Sequence, residues 1–188
     1  MRFTLSILTI ILFYSCTNHN LAGDIEQLKQ QQITLSSDLN SIYNGKDTVL
    51  TDFLEAPIKL VIWYDAMGCL SCEASKMNEW EAIVADAAPF SQWFSIVFLF
   101  TPPKEDWYKL SMSLKSGKFN YPVFIDRTAS FIKQNSKLPK NRKLHSFLLD
   151  KNNRVVMVGN PLHNPVLWDL YKSTIQKMIN NDGILPES

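Results

Sequence analysis

Four apolar runs constrain this chain more than anything else in it: "IKLVIWY" (Ile58–Tyr64), "SIVFLF" (Ser95–Phe100), "YPVFID" (Tyr121–Asp126) and "HSFLLDKNNRVVMVG" (His145–Gly159). They are rich in β-branched and aromatic residues with few polar interruptions, the pattern of strands buried on both faces. The segments between them carry helical periodicity. From Glu73 to Ala87 the apolar residues Met77, Trp80, Ile83, Val84 and Ala87 recur at helical spacing, and Pro89 marks the end. A second helix is expected from about Asp106 to Gly117, and a short third over about Thr128–Asn135. The last apolar run divides at Lys151-Asn152-Asn153 into a hairpin. "NPVLWDLYKSTIQKMIN" then reads as a closing amphipathic helix whose buried side is expected to be Val166, Leu167, Leu170, Ile175 and Met178. Strands alternating with helices imply βαβ units with a parallel core. The expected fold is α/β, a three-layer α/β/α arrangement around a mixed sheet of about five strands.

Length and charge narrow the field. A chain of 188 residues, 46% hydrophobic, suffices for one compact domain. A formal charge of +1 offers no broad basic field for nucleic acid. No G-x-G-x-x-G, Walker loop or G-x-S-x-G is present, so no cofactor is expected.

The first residues, "MRFTLSILTIILFYSC", place one charge, Arg2, before an apolar stretch from Phe3 to Tyr14. That is too short to span a bilayer, which needs about 20 residues, and has the length of a signal-peptide core. Ser15-Cys16 at its end resembles the lipobox of bacterial lipoproteins. The resemblance implies cleavage before Cys16, acylation of that residue, and an extracytoplasmic, periplasm-facing domain anchored to a bacterial membrane by lipid. The expected organisation is a signal peptide over 1–15, a lipidated cysteine with a tether or short helix over 16–43, the folded domain over 44–180 and a tail over 181–188. Within 16–43, Leu21, Ile25 and Leu28 fall at helical spacing. Of the three cysteines, Cys69 and Cys72 would remain as thiols in a disulfide-permissive compartment.

Those two form "CLSC", between the strand Ile58–Tyr64 and the helix that follows. Open α/β sheets place their sites at the carboxyl ends of strands, and the amino end of a helix favours a thiolate. Cys69, at the helix start, is expected to be the more acidic and exposed thiol. Cys72, three residues on, is placed to close or resolve a disulfide. A static structural disulfide and part of a metal site are the alternatives.

Three stretches in order, "GKDTVLTDF…IKLVIWYDAMGCLSC", "YPVFIDRTASFIKQN" and "FLLDKNNRVVMVGNP", resemble the thioredoxin fold, in particular extracytoplasmic redoxins of the TlpA and AhpC/TSA type. The resemblance implies thiol–disulfide exchange through Cys69 and Cys72, protein thiols or disulfides as substrates, and a membrane-embedded electron donor or acceptor as partner. This chain departs from the family pattern in three places. Gly68 stands where an aromatic precedes the first cysteine, and Asp65 replaces another aromatic. Leu144-His145-Ser146 occupies the position of the family's cis-proline, and no proline lies closer than Pro139. A trans backbone is expected there, since a non-proline cis bond costs roughly 3 kcal/mol. His145 and Asp65 thereby become possible tuning residues: His145 as an imidazolium beside the thiolate, Asp65 as a carboxylate that raises the thiol pKa or accepts its proton. The plainer readings are a loop histidine hydrogen-bonded to backbone and a turn or capping carboxylate. Cys69, Cys72 and His145 together would be the ligands of the alternative, a copper-carrying binding module. The peroxidatic Pro-x-x-x-Thr/Ser-x-x-Cys pattern is absent before either cysteine.

Overall fold

The computed structural model describes residues 21–36 and 39–186. The expected signal peptide and Cys16 lie outside the described residues. Among the described residues no helix is long and apolar enough to cross a membrane.

The core runs β3 (Ile58–Tyr64), α3 (Leu70–Ser75), α4 (Glu81–Ala87), β4 (Phe94–Phe100), α5 (Trp107–Gly117), β5 (Val123–Ile125), α6 (Ser130–Gln134), β6 (Ser146–Leu149), β7 (Val155–Val158) and α7 (Pro165–Ile179). Ahead of it stand α1 (Leu21–Lys29), β1 (Asn40–Tyr43), β2 (Lys46–Thr48) and α2 (Asp52–Glu55). The sheet has seven strands, in the order β2-β1-β5-β4-β3-β6-β7, where about five were expected. The additional pair is the β1–β2 hairpin, whose strands are too short and polar to register as buried runs. At its turn Asn44 and Gly45 both adopt positive φ, 47° and 76°, as a two-residue hairpin turn demands. A Cβ on Gly45 would also lie 2.6 Å from the Lys115 carbonyl oxygen.

β3, β4 and β5 are parallel, whereas β6, β7 and β1 run antiparallel to their neighbours. Alternation along the strands divides the core into two layers. Leu60, Ile62, Phe98 and Phe100 face α3, α4, α5 and α7, while Val61, Trp63, Leu99 and Phe147 face α1 and α6. Helices therefore cover both sides.

One local expectation is corrected. In α7 the buried residues are Trp168, Tyr171, Ile175 and Met178, while Val166 and Leu170 are exposed, 78% and 54%. The first turns of the helix, Pro165–Tyr171, carry Asp169 as their one charged residue and so offer more than one apolar face, and the aromatic face won the core because its polar atoms reach partners. The Tyr171 hydroxyl donates to the Gly159 carbonyl at 2.7 Å, and the Trp168 indole to Asp86 Oδ2 at 2.7 Å. Within the segment read as a tether or short helix, α1 is a helix over Leu21–Lys29 and the stretch packs on the sheet. Leu28 and Ile33 are fully buried, Ile33 N donates to the Asn153 carbonyl at 2.8 Å, and Gln32 bridges Arg154 at the start of β7.

Asp126, at the end of β5, organises the turn into α6. Its carboxylate accepts from Thr128 N at 3.0 Å, Thr128 Oγ1 at 2.9 Å, Ser130 Oγ at 3.2 Å and Phe131 N at 2.8 Å. Burial alone would push its pKa up; these bonds outweigh it and hold the carboxyl below its ordinary value. A depressed folded pKa contributes stability above the unfolded value near 3.9, and that stability is lost as pH falls through the folded value. Asp126→Ala is expected to cost about 2–4 kcal/mol at pH 7 and to flatten the loss of stability below pH 4. Urea unfolding of both proteins at pH 7 and pH 3 measures this. An equal cost at both pH values would contradict it.

Candidate functional site

Cys69 is the residue immediately before α3, and its carbonyl accepts from Glu73 N at 3.0 Å. It follows the carboxyl end of β3 by way of the loop Asp65–Gly68. Cys69 and Cys72 are joined by a disulfide, with Cα atoms 5.2 Å apart. Both cysteines are exposed. The reason is the register of the helix. Leu70 and Ala74 supply its inward face, and residues 69 and 72 lie on the outward one. Ser71 Oγ lies 3.8 Å from Cys69 Sγ. A hollow of about 90 Å³ beside the disulfide is bounded by Gly68, Ser71, Asp106 and Lys109, so the start of α5 forms one wall. An apolar cavity of about 310 Å³, lined by Phe53, Val84, Phe94 and Tyr121, sits at the amino end of β4, remote from the cysteines.

On the other side of the disulfide is the loop leading into β6. Residues Arg142–Leu144 make one 3-10 turn, capped by the Asn141 side chain, which accepts from Lys143 N at 3.1 Å. No cis peptide bond occurs among the described residues. Trp63 N donates to the His145 carbonyl at 2.8 Å, locking this loop to β3.

His145 is buried and stacks on Trp63, with ring centroids 4.0 Å apart. Its Nε2 lies 2.9 Å from the Pro139 carbonyl oxygen. A carbonyl only accepts, so Nε2 carries the hydrogen. Nδ1 has no hydrogen-bond partner and faces Asp65 Oδ2 at 3.8 Å. Burial lowers the His145 pKa, outweighing the Pro139 carbonyl and the Asp65 charge. The imidazole is therefore a neutral wedge at neutral pH, with the backbone hydrogen bond of the plainer reading.

Asp65 is buried too. Its Oδ1 accepts from Met67 N at 3.2 Å, closing the turn into the cysteine loop, and pairs with Arg142 Nε at 3.2 Å. Arg142 also reaches Glu73 Oε1 at 4.0 Å. Arg142 did not stand out in the sequence. The available signal was a pair of features: a basic residue in the loop that replaces the family's cis-proline, and a glycine where a bulky residue is usual. Among the described residues no group of three or more His, Cys, Asp and Glu side chains could hold a metal ion. The Cys69–Cys72–His145 ligand set is not assembled.

A disulfide at the junction of a central parallel strand and its helix, in this strand order, defines a thioredoxin-like fold. No family model matches the sequence, and no curated protein matches it. Solved structures do. A hypothetical protein from Sinorhizobium meliloti is 15% identical, with 84% of this chain and 88% of that one covered, at a TM-score of 0.50. An uncharacterised conserved protein from Geobacillus kaustophilus is 13% identical, with 83% and 86% covered, at 0.50. A putative thiol:disulfide interchange protein DsbE from Chlorobium tepidum is 13% identical, with 77% and 98% covered, at 0.48. At these identities the likeness concerns the fold.

Proposed function

We propose that this protein is an extracytoplasmic thiol–disulfide oxidoreductase, tethered to a bacterial membrane through lipid on Cys16, with Cys69 as nucleophile and Cys72 as resolving thiol. The observation that carries the reading is the Cys69–Cys72 disulfide beyond the carboxyl end of β3, with both cysteines exposed among the described residues.

In the reducing direction Cys69 thiolate attacks one sulfur of a substrate disulfide. A Cys69–substrate bond forms, and the other substrate sulfur leaves as thiolate. Cys72 thiolate then attacks Cys69 Sγ, the mixed disulfide breaks, and the second substrate sulfur leaves. Two electrons have passed from the protein dithiol to the substrate, and the Cys69–Cys72 disulfide is the product. A dithiol donor, membrane-embedded in this reading, restores the reduced pair. Substrate oxidation is the same sequence reversed. The amino end of α3 favours the anion at Cys69 that both directions need.

The test is reduction of insulin, or of a synthetic peptide disulfide, by the soluble domain with dithiothreitol as donor. Catalysis above the dithiothreitol background, abolished in Cys69→Ser, is expected. Background rates for both proteins would overturn the proposal.

A further inference from the structure

We infer that Arg142 is a positioning residue that holds Cys69 in its thiolate form, and that Gly68 is glycine so that the Arg142 guanidinium can lie against the cysteine loop. This inference rests on the exchange chemistry proposed above. A Cβ added to Gly68 would lie 2.3 Å from Arg142 Nη2, 2.7 Å from its Cζ and 3.0 Å from its Nη1. The cation thus sits directly on the residue preceding Cys69. Asp65 fixes it from below through Nε at 3.2 Å, and Glu73, in the first turn of α3, from the side at 4.0 Å.

The charges around Cys69 make the role specific. Asp65 and Glu73 on the strand and helix side are two carboxylates that would disfavour a thiolate. Across the hollow, Asp106 and Lys109 on the α5 side are both exposed and of opposite sign. His145 is buried beside Asp65 and contributes no cation at neutral pH. Arg142 is therefore the cation that offsets Asp65 and Glu73. Without it the cysteine loop faces two uncompensated carboxylates. Its side chain is 45% exposed, so solvent screens it, and the expected effect is moderate.

The experiment measures the pKa of Cys69 in the reduced protein by iodoacetamide rate against pH, read on the Cys69 peptide, with melting temperature followed in parallel. Arg142→Gln is expected to raise the Cys69 pKa by about one pH unit, lowering the thiolate fraction near neutrality by up to about tenfold. The disulfide should become correspondingly less oxidising in glutathione buffers, by at most about 30 mV for that factor. Gly68→Ala should give a rise in the same direction: its methyl meets only the far end of a flexible side chain and displaces the guanidinium without removing it. Arg142→Lys should restore part of the shift. The double variant Arg142→Gln/Gly68→Ala should match Arg142→Gln alone, because both act through one group. An unchanged alkylation profile in Arg142→Gln, or additive shifts in the double variant, would overturn the inference. Neither result depends on insulin reduction, so failure of the exchange activity and failure of this inference are read separately.

Discussion

Cys72→Ser is expected to abolish turnover while leaving Cys69 competent for the first half of the reaction. In the proposed exchange, with the Cys72 sulfur gone, attack of Cys69 on a substrate disulfide would end at a Cys69–substrate bond that persists until an external thiol arrives. Incubated with a peptide disulfide, the variant should accumulate a one-to-one adduct, visible as a mass increase lost on reduction. Cys69→Ser should accumulate none through Cys72 if the two sulfurs hold distinct roles. The comparison has weight because both cysteines are exposed: geometry alone does not shield Cys72 from substrate, and chemistry must separate the pair. Equal adduct formation by both variants would mean that either sulfur serves as nucleophile.

The second large effect concerns the support beneath the site. Trp80, in the 3-10 turn Met77–Trp80 between α3 and α4, is 1% exposed. Its ring meets Phe98 edge-on at 5.0 Å, and its indole N–H donates to the Tyr64 hydroxyl at 3.2 Å. Burial raises the Tyr64 pKa, so that hydroxyl stays protonated throughout the working range. Trp80→Ala is expected to lose about 3–5 kcal/mol, a large part of a domain's usual 5–15 kcal/mol. Guanidinium unfolding with the disulfide intact should show a lower midpoint at an unchanged slope. A loss below about 1 kcal/mol would mean that the surrounding helices collapse into the space. Tyr64 ends β3 and directly precedes Asp65, so the same variant should also loosen the cysteine loop.

How much of this was legible depends on the range over which each feature is determined. β3, β4 and the β6–β7 hairpin declared themselves because a strand buried on both faces needs an uninterrupted apolar run. The placement of Cys69 at the strand–helix junction followed from that order alone. The face of α7 did not follow, because Val166, Leu167 and Leu170 are as apolar as the residues that won. Only the positions of Gly159 and Asp86, distant in sequence, decide for Trp168 and Tyr171. Arg142 is a case of the same kind. Its partner Asp65 lies across the fold, and the space it occupies is recorded in the sequence only as a missing side chain at Gly68. For His145 the residue type left both an imidazolium beside the sulfurs and a backbone-bonded loop histidine open; its bond to the Pro139 carbonyl and its burial against Trp63 are set by residues the local sequence does not reveal.

The pairing of Gln32 with Arg154 has an outcome for how other proteins reach this one. It caps the start of β7, while at the far margin β2 is three residues long, carries Lys46 and Asp47, and is pinned by the Asp47–Lys115 ion pair. Among the described residues neither border offers a long, flat, unpaired backbone row on which a foreign strand could extend the sheet. A polypeptide substrate of the proposed exchange would therefore approach end-on, over the loops that carry Met67, Arg142 and the sulfurs, and its selectivity would be written in those few side chains.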